Sequence, residues 1–168
     1  MAHAFSGNCV AMPCQVRDET YIKVNGNWTY LYRAVDTFGK PLDFMLSERR
    51  NEPAAMLFFA KALSTNGIPV KIVIDKSGAN TAGIRGVNKI LDRFGSQVPI
   101  TTIRSKYLNN IIEQDHRFIK RRTRPMLGFK SFSSASATLD GIEVTHMIRK
   151  KQFKSDASGF KQFAALAG

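Results

Sequence analysis

The sequence predicts an α/β domain: a mixed sheet of three antiparallel strands followed by parallel ones, flanked by helices. Two turn signals between Tyr21 and Leu46 predict the antiparallel part. After Pro53, helical periodicity alternates with short apolar runs, the pattern of parallel strands joined by crossover helices. Size is the third observation. A chain of 168 residues, 43% of them hydrophobic, can build one core and has little left for a second.

Each element has a local reason. Tyr21-Ile22-Lys23-Val24 alternates, and Asn25-Gly26-Asn27 is a hairpin signal because its residues tolerate positive φ. Trp28 to Val35 is rich in aromatic and β-branched residues and reads as the second strand. Phe38-Gly39-Lys40-Pro41 turns the chain into a third strand, Leu42 to Leu46. Pro53 suits the first turn of a helix, Ala54 to Ser64 continues it, and Asn66-Gly67 ends it. Val70 to Ile74, broken by Lys71, suits a buried parallel strand. Thr81 to Arg93 reads as a helix stopped by Phe94-Gly95, and Pro99 to Ile103 as a short strand. Tyr107 to Arg122 reads as a helix bounded by Pro125, and a last helix runs from Ser133, as N-cap, to Lys150. Residues 1–14 form a leader, 15–152 the domain, and 153–168 a tail. The order βββ-α-β-α-β-α-α is that of the ribonuclease H-like fold.

The charge is large and uneven. Twenty-five Lys and Arg against thirteen Asp and Glu give a net +12. Arg104 to Lys154 alone holds twelve basic residues against four acidic, two thirds of the excess in a third of the chain. A polyanionic partner follows, nucleic acid ahead of an anionic membrane surface. No apolar run approaches the roughly 18 residues of a membrane span, and the N-terminus has no secretory signal pattern. Two cysteines exclude a disulfide scaffold, and His3, Cys9 and Cys14 are too sparse for zinc. The expected location is the cytoplasm, in association with the nucleoid.

Three carboxylates stand on separate elements. Asp18 opens the first strand, Asp75 directly follows Val70 to Ile74, and Glu113 lies in the most basic helix. Open α/β sheets place ligand sites at strand ends, and phosphoryl transfer uses metal ions held by carboxylates from different elements. Each residue also has a commonplace reading. Asp18 can be a strand-end residue, Asp75 a cap for the segment after it, and Glu113 a partner of Arg117 one turn away. Asn110, Glu113, Arg117 and Lys120 fall on one helical stripe, a surface suited to metal and phosphate together. Lys106, Arg121, Arg122 and Arg124 complete the set expected to contact a DNA backbone.

The blocks RDETYIKVNGNWTYLYRAVDTFGKPLDFMLSERRN, VIDKSGAN and KYLNNIIEQDHRFIKRRTRPMLGFKSFSSASATLDGIEVTHMIRKKQ resemble a bacterial and archaeal insertion-sequence transposase family, the cointegrate-forming DDE transposases. The resemblance covers Val16 to Gln152. It implies a ribonuclease H-like catalytic domain with Asp18, Asp75 and Glu113 as the catalytic, metal-binding acids. It implies two magnesium ions, with manganese able to substitute, and Lys120 contacting DNA near the active site. The implied chemistry is strand cleavage at a transposon end, then strand transfer to target DNA, by a homodimer or a larger synaptic assembly. Relatives usually begin with a DNA-binding segment. About 15 residues precede DETY here, so that segment is expected to be missing, and the alternative function is a catalytically silent DNA-binding remnant or regulator.

Among other residues, His116 and His146 are expected in surface or packing roles. Trp28, Tyr30 and Tyr32 share a strand face and are expected to pack there in preference to stacking on bases. Phe129 and Phe132 are expected as apolar anchors between the last two helices.

Overall fold

β1 (Cys14–Val24) and β2 (Asn27–Val35) form the predicted hairpin around Asn25-Gly26. Asn25 and Gly26 have φ of 48° and 78°, a mirror-image turn whose twist matches the right-handed twist of the strands. The computed structural model describes residues 14–74, 77–95, 99–104 and 110–153, with 14–19 and 110–115 described by backbone alone. β3 (Pro41–Ser47) pairs antiparallel with β2. β4 (Lys71–Ile74) and β5 (Thr101–Arg104) add in parallel on the other side, giving the order β3-β2-β1-β4-β5.

The helices are α1 (Glu52–Asn66), α2 (Gly78–Arg93), α3 (Asn110–Thr123) and α4 (Phe132–Arg149). Asn51 caps α1 by accepting from the Ala54 amide at 3.1 Å, with Pro53 in the first turn. α4 is capped by Ser131, not Ser133. Ser131 has extended backbone, and its hydroxyl accepts from the Ser134 amide at 3.2 Å, so the helix starts two residues earlier than expected. β1 is longer than its local pattern predicts, because Cys14 to Val16 gain a parallel partner in Ile72 to Ile74. β5 starts after Pro99, which has no amide to donate to the ladder, and the Thr101 amide donates to the Val70 carbonyl at 3.0 Å.

The sheet is covered on both faces. Tyr32, Ala34, Ile72 and Ile74 pack with Phe58, Phe59 and Ile84 of α1 and α2. On the opposite face, Ile22, Val24 and Leu31 pack with Ile119 of α3 and with Ala135, Leu139 and Ile142 of α4. β4 is buried from Ile72 to Ile74, as a strand covered on both faces must be.

One ion pair interrupts this second core. Arg33 of β2 and Glu143 of α4 are 1% and 0% exposed. Arg33 Nε and Nη2 donate to the two Glu143 carboxylate oxygens at 2.5 and 2.9 Å. The two-point geometry fixes the rotation and register of α4 on the sheet. Removing one partner strands a buried charge, so Glu143→Ala should destabilise the domain by about 3–5 kcal/mol in urea unfolding. The paired replacement Arg33→Met with Glu143→Leu should recover most of that loss, because the second charge goes as well.

Candidate active site

The site is built along one edge of β1. On its β2 side the strand is paired from Gln15 to Val24. On the other side β4 pairs only with Cys14 to Val16, and Phe129 bridges at Val24. Between those two points the edge has no strand partner among the described residues. Within the gap the register to β2 shifts: Arg17 faces Arg33 and Thr20 faces Leu31, so positions 18 and 19 oppose Tyr32 alone. A bulge of this kind re-aims the bulged residues and is common beside active sites. Asp18 sits in it.

A buried hydrogen bond joins this part of β1 to α3. Thr20 Oγ1 and His116 Nδ1 share it, and both residues are buried. Further along, Ile22 and Val24 pack on Ile119, and Tyr21, Ile22 and Lys23 face Lys120, Thr123 and Arg124 across a groove. Strand and helix therefore run side by side in the same direction. Position 18 lies about 7 Å back along the strand from Thr20. Position 113 lies about 4.5 Å back along the helix from His116. Both fall on the same side of the Thr20–His116 bond. Asp75 lies outside the described residues. Its predecessor Ile74 is paired with Val16, two residues from Asp18, so the chain leaves β4 beside the bulge.

The outer face of α3 is basic. Arg117, Lys120 and Arg121 are exposed along it and Arg124 just beyond its end, while His116 and Ile119 turn inward. The cations of the last turn also complement the negative end of the helix dipole. Arg122 is placed differently from its neighbours. Its guanidinium lies 3.6 Å from the centre of the Phe118 ring, and Nη1 donates to the Phe118 carbonyl at 3.3 Å. Burial, then the charges of Arg149 and Arg121, lower its pKa from the usual arginine value. Phe118 also stacks on His146 of α4, ring centres 3.9 Å apart, so Arg122 belongs to the α3–α4 seam. Lys106 lies outside the described residues.

Two features depart from expectation. His116 is neither a surface residue nor a generic packing residue, but the tie between α3 and β1. Its signal was its place on the inward stripe with Ile112 and Ile119, at spacings of four and three. Thr20 carries no comparable local signal. Tyr32 is buried as expected, but Trp28, on the same face at the strand's start, is 59% exposed. Phe129 packs on the second core, whereas Phe132 is partly exposed.

The family model described as a DDE domain matches residues 14–152. The chain belongs to the DDE transposase family of insertion sequences. This DDE domain is 40% identical over 139 residues to the transposase for insertion sequence-like element IS431mec of Staphylococcus aureus. It is equally similar to that of insertion sequence element IS257 in transposon Tn4003 of Staphylococcus aureus. Each match covers 82% of the chain, and the chain spans 58% of the length of each relative. Among solved structures, the HTLV-2 integrase catalytic core domain in complex with magnesium superposes with a TM-score of 0.50 at 16% identity, over 67% of this chain and 69% of that one. The DDE domain thus has the ribonuclease H-like fold that its element order predicts.

Thr20→Val keeps the side-chain shape and removes the hydroxyl facing His116. It should destabilise the DDE domain by about 1–3 kcal/mol in urea unfolding, the cost of leaving a buried polar group without that partner. A shift of the same size in a variant that also carries His116→Leu would show that the pair does not act as a unit.

Proposed function

We propose that this domain is the catalytic core of a transposase that cuts DNA at the ends of an insertion sequence and joins it to target DNA. The observation that carries the reading is the arrangement along β1. The bulge at Asp18 and the turn of α3 that holds Glu113 lie on one side of the Thr20–His116 bond, and β4 ends beside them. Asp18, Asp75 and Glu113 are the catalytic acids in this reading. Carboxylate oxygens from three elements are the donor set that a hard cation such as magnesium takes. Two such ions, when bound, activate the attacking oxygen and stabilise the leaving one.

The remaining work falls to the chain's own residues. Lys120 lies two turns beyond Glu113, about 10.5 Å along the helix. It can hold a phosphate near the one being cleaved. Arg117, Arg121 and Arg124 extend the contact along the strand and position it without reading sequence. The bulge sets the backbone at position 18, and the tie from α3 to β1 sets the helix turn at position 113. Both strand ends are then processed by two copies of the domain, or by a larger synaptic assembly, acting on nucleoid DNA in the cytoplasm. No helix among the described residues is long and apolar enough to cross a membrane.

The deciding experiment is magnesium- or manganese-dependent nicking of transposon-end DNA by this chain and its Glu113→Gln variant. Loss of groups merely supporting a metal ligand lowers activity by about 10–100-fold, so neutralising a ligand should cost at least about 100-fold. Equal nicking by both proteins would overturn the assignment. DNA binding with no metal-dependent nicking by either would identify a silent binding domain. Separately, Arg117→Ala, Lys120→Ala and Arg124→Ala should each weaken duplex binding uniformly across sequences. Each should also reduce the slope of log K against log salt by about 0.9.

A further inference from the structure

A groove of about 470 Å³ runs from α3 to the tip of the β1–β2 hairpin. One wall carries Tyr21 and Trp28, which are 47% and 59% exposed. The two rings meet edge to face at 6.4 Å, and Tyr21 also meets Tyr30 at 5.5 Å. Arg50 Nη1 donates to the Tyr21 hydroxyl at 3.4 Å. Lys23, Lys120 and Arg124 also line the groove, and no carboxylate lines it among the described residues. Leu127 closes the far side. It is 90% exposed and has φ of 55°, a left-handed conformation that a leucine adopts at a cost. Gly128 lets this loop reach the strand, since a Cβ there would come within 3.1 Å of the Lys23 carbonyl oxygen. The Phe129 amide donates to that same oxygen at 2.8 Å.

Exposed aromatic faces, a strained exposed leucine and three cations describe a surface for something flat, apolar and anionic. We propose that this groove holds an unpaired DNA base, stacked on the Trp28 face with Tyr21 against its edge, and with the flanking phosphates on Lys23, Lys120 and Arg124. Bases within a duplex are covered on both faces by their neighbours, so a stacking wall can engage only an unpaired or terminal base. Stacking of this kind tolerates any base. Lys120 is about 10.5 Å from Glu113 along α3. The held base is therefore within a few nucleotides of the phosphate at the acidic centre. This inference rests on the function proposed above and adds the form of the substrate: an end whose strands are separated beside the cut.

Trp28 is the single tryptophan of the chain and reports on the groove directly. Short oligothymidylate is added to the full chain without metal, and binding is followed independently by anisotropy of the labelled DNA. Tryptophan emission should be quenched as the sites fill. Trp28→Leu and Tyr21→Leu should each weaken oligothymidylate binding by about tenfold or more, leave blunt-duplex binding within about twofold, and Trp28→Phe should keep most of the affinity. Unquenched emission at saturation would overturn the proposal. So would unchanged oligothymidylate binding by Trp28→Leu, or an equal loss on duplex. Emission that shifts with protein concentration alone, together with a dimer abolished by Trp28→Leu, would assign the groove to a second copy and also overturn it. Because binding is read without metal, failure of the nicking experiment leaves this result standing, and the two readings fall separately.

Discussion

The two edges of β1 are treated unequally, and much of the domain depends on that. Along one edge an eleven-residue strand is paired from Gln15 to its tip. Along the other it is held by β4 for three residues, left without a strand partner among the described residues, and held again by Phe129 at Val24. An unpaired edge exposes backbone donors and acceptors and is normally short or covered. Here α3 lies over the adjoining face, so the gap is neither an open edge nor a closed sheet. Neighbouring strands sit about 4.8 Å apart, and a helix over a sheet stands about twice as far away. A cleft is the geometric result, and the bulge at positions 18 and 19 opens into the same stretch.

A cleft held by one strand and one helix keeps its shape only if the helix cannot slide. Apolar packing of Ile119 on Ile22 and Leu31 supplies cohesion but little register, because apolar contacts tolerate sliding. Two polar contacts supply the register. Thr20–His116 fixes α3 to β1, and Arg33–Glu143 fixes α4 to β2. Both have strict distance and angle requirements, and both lie in low-dielectric surroundings where a misplaced partner is costly. The Phe118 ring, between Arg122 and His146, then joins α3 to α4. The β1–α3 spacing is thus transmitted to β2 through a second helix.

The order of elements along the chain and nearly every helix were legible in the sequence because they rest on local signals. Asn25-Gly26 dictates its own turn, Pro53 marks the start of α1, and the buried run before Asp75 reads as β4. What was not legible depends on distant partners. Cys14 to Val16 become strand because Ile72 to Ile74 lie alongside. Ser131 wins the cap over Ser133 because the chain enters extended from the Gly128–Phe129 loop, which is itself anchored on β1. Of the three acids read as a motif, Asp18 and Glu113 fall on the strand and helix the sequence predicts for them. The bond that ties those elements together was not, since Thr20 and His116 are 96 residues apart and neither type announces its partner.

Trp28 is the instructive case. Period-two alternation puts Trp28, Tyr30 and Tyr32 on one face, and the usual inference is that a shared face shares a fate. The cover over that face is finite. α1 reaches Tyr32 through Phe58, Tyr30 is half-buried, and Trp28 lies beyond. A strand longer than its covering helix must present its last residues to something else. Aromatic side chains there cost solubility unless a partner uses them. The chain places cations around that overhang, from Lys23 on the same hairpin, from Lys120 on the helix that also carries Glu113, and from Arg124 just past that helix's end. The +12 excess is therefore more than a diffuse attraction. Part of it is arranged around an aromatic surface that the sheet leaves uncovered.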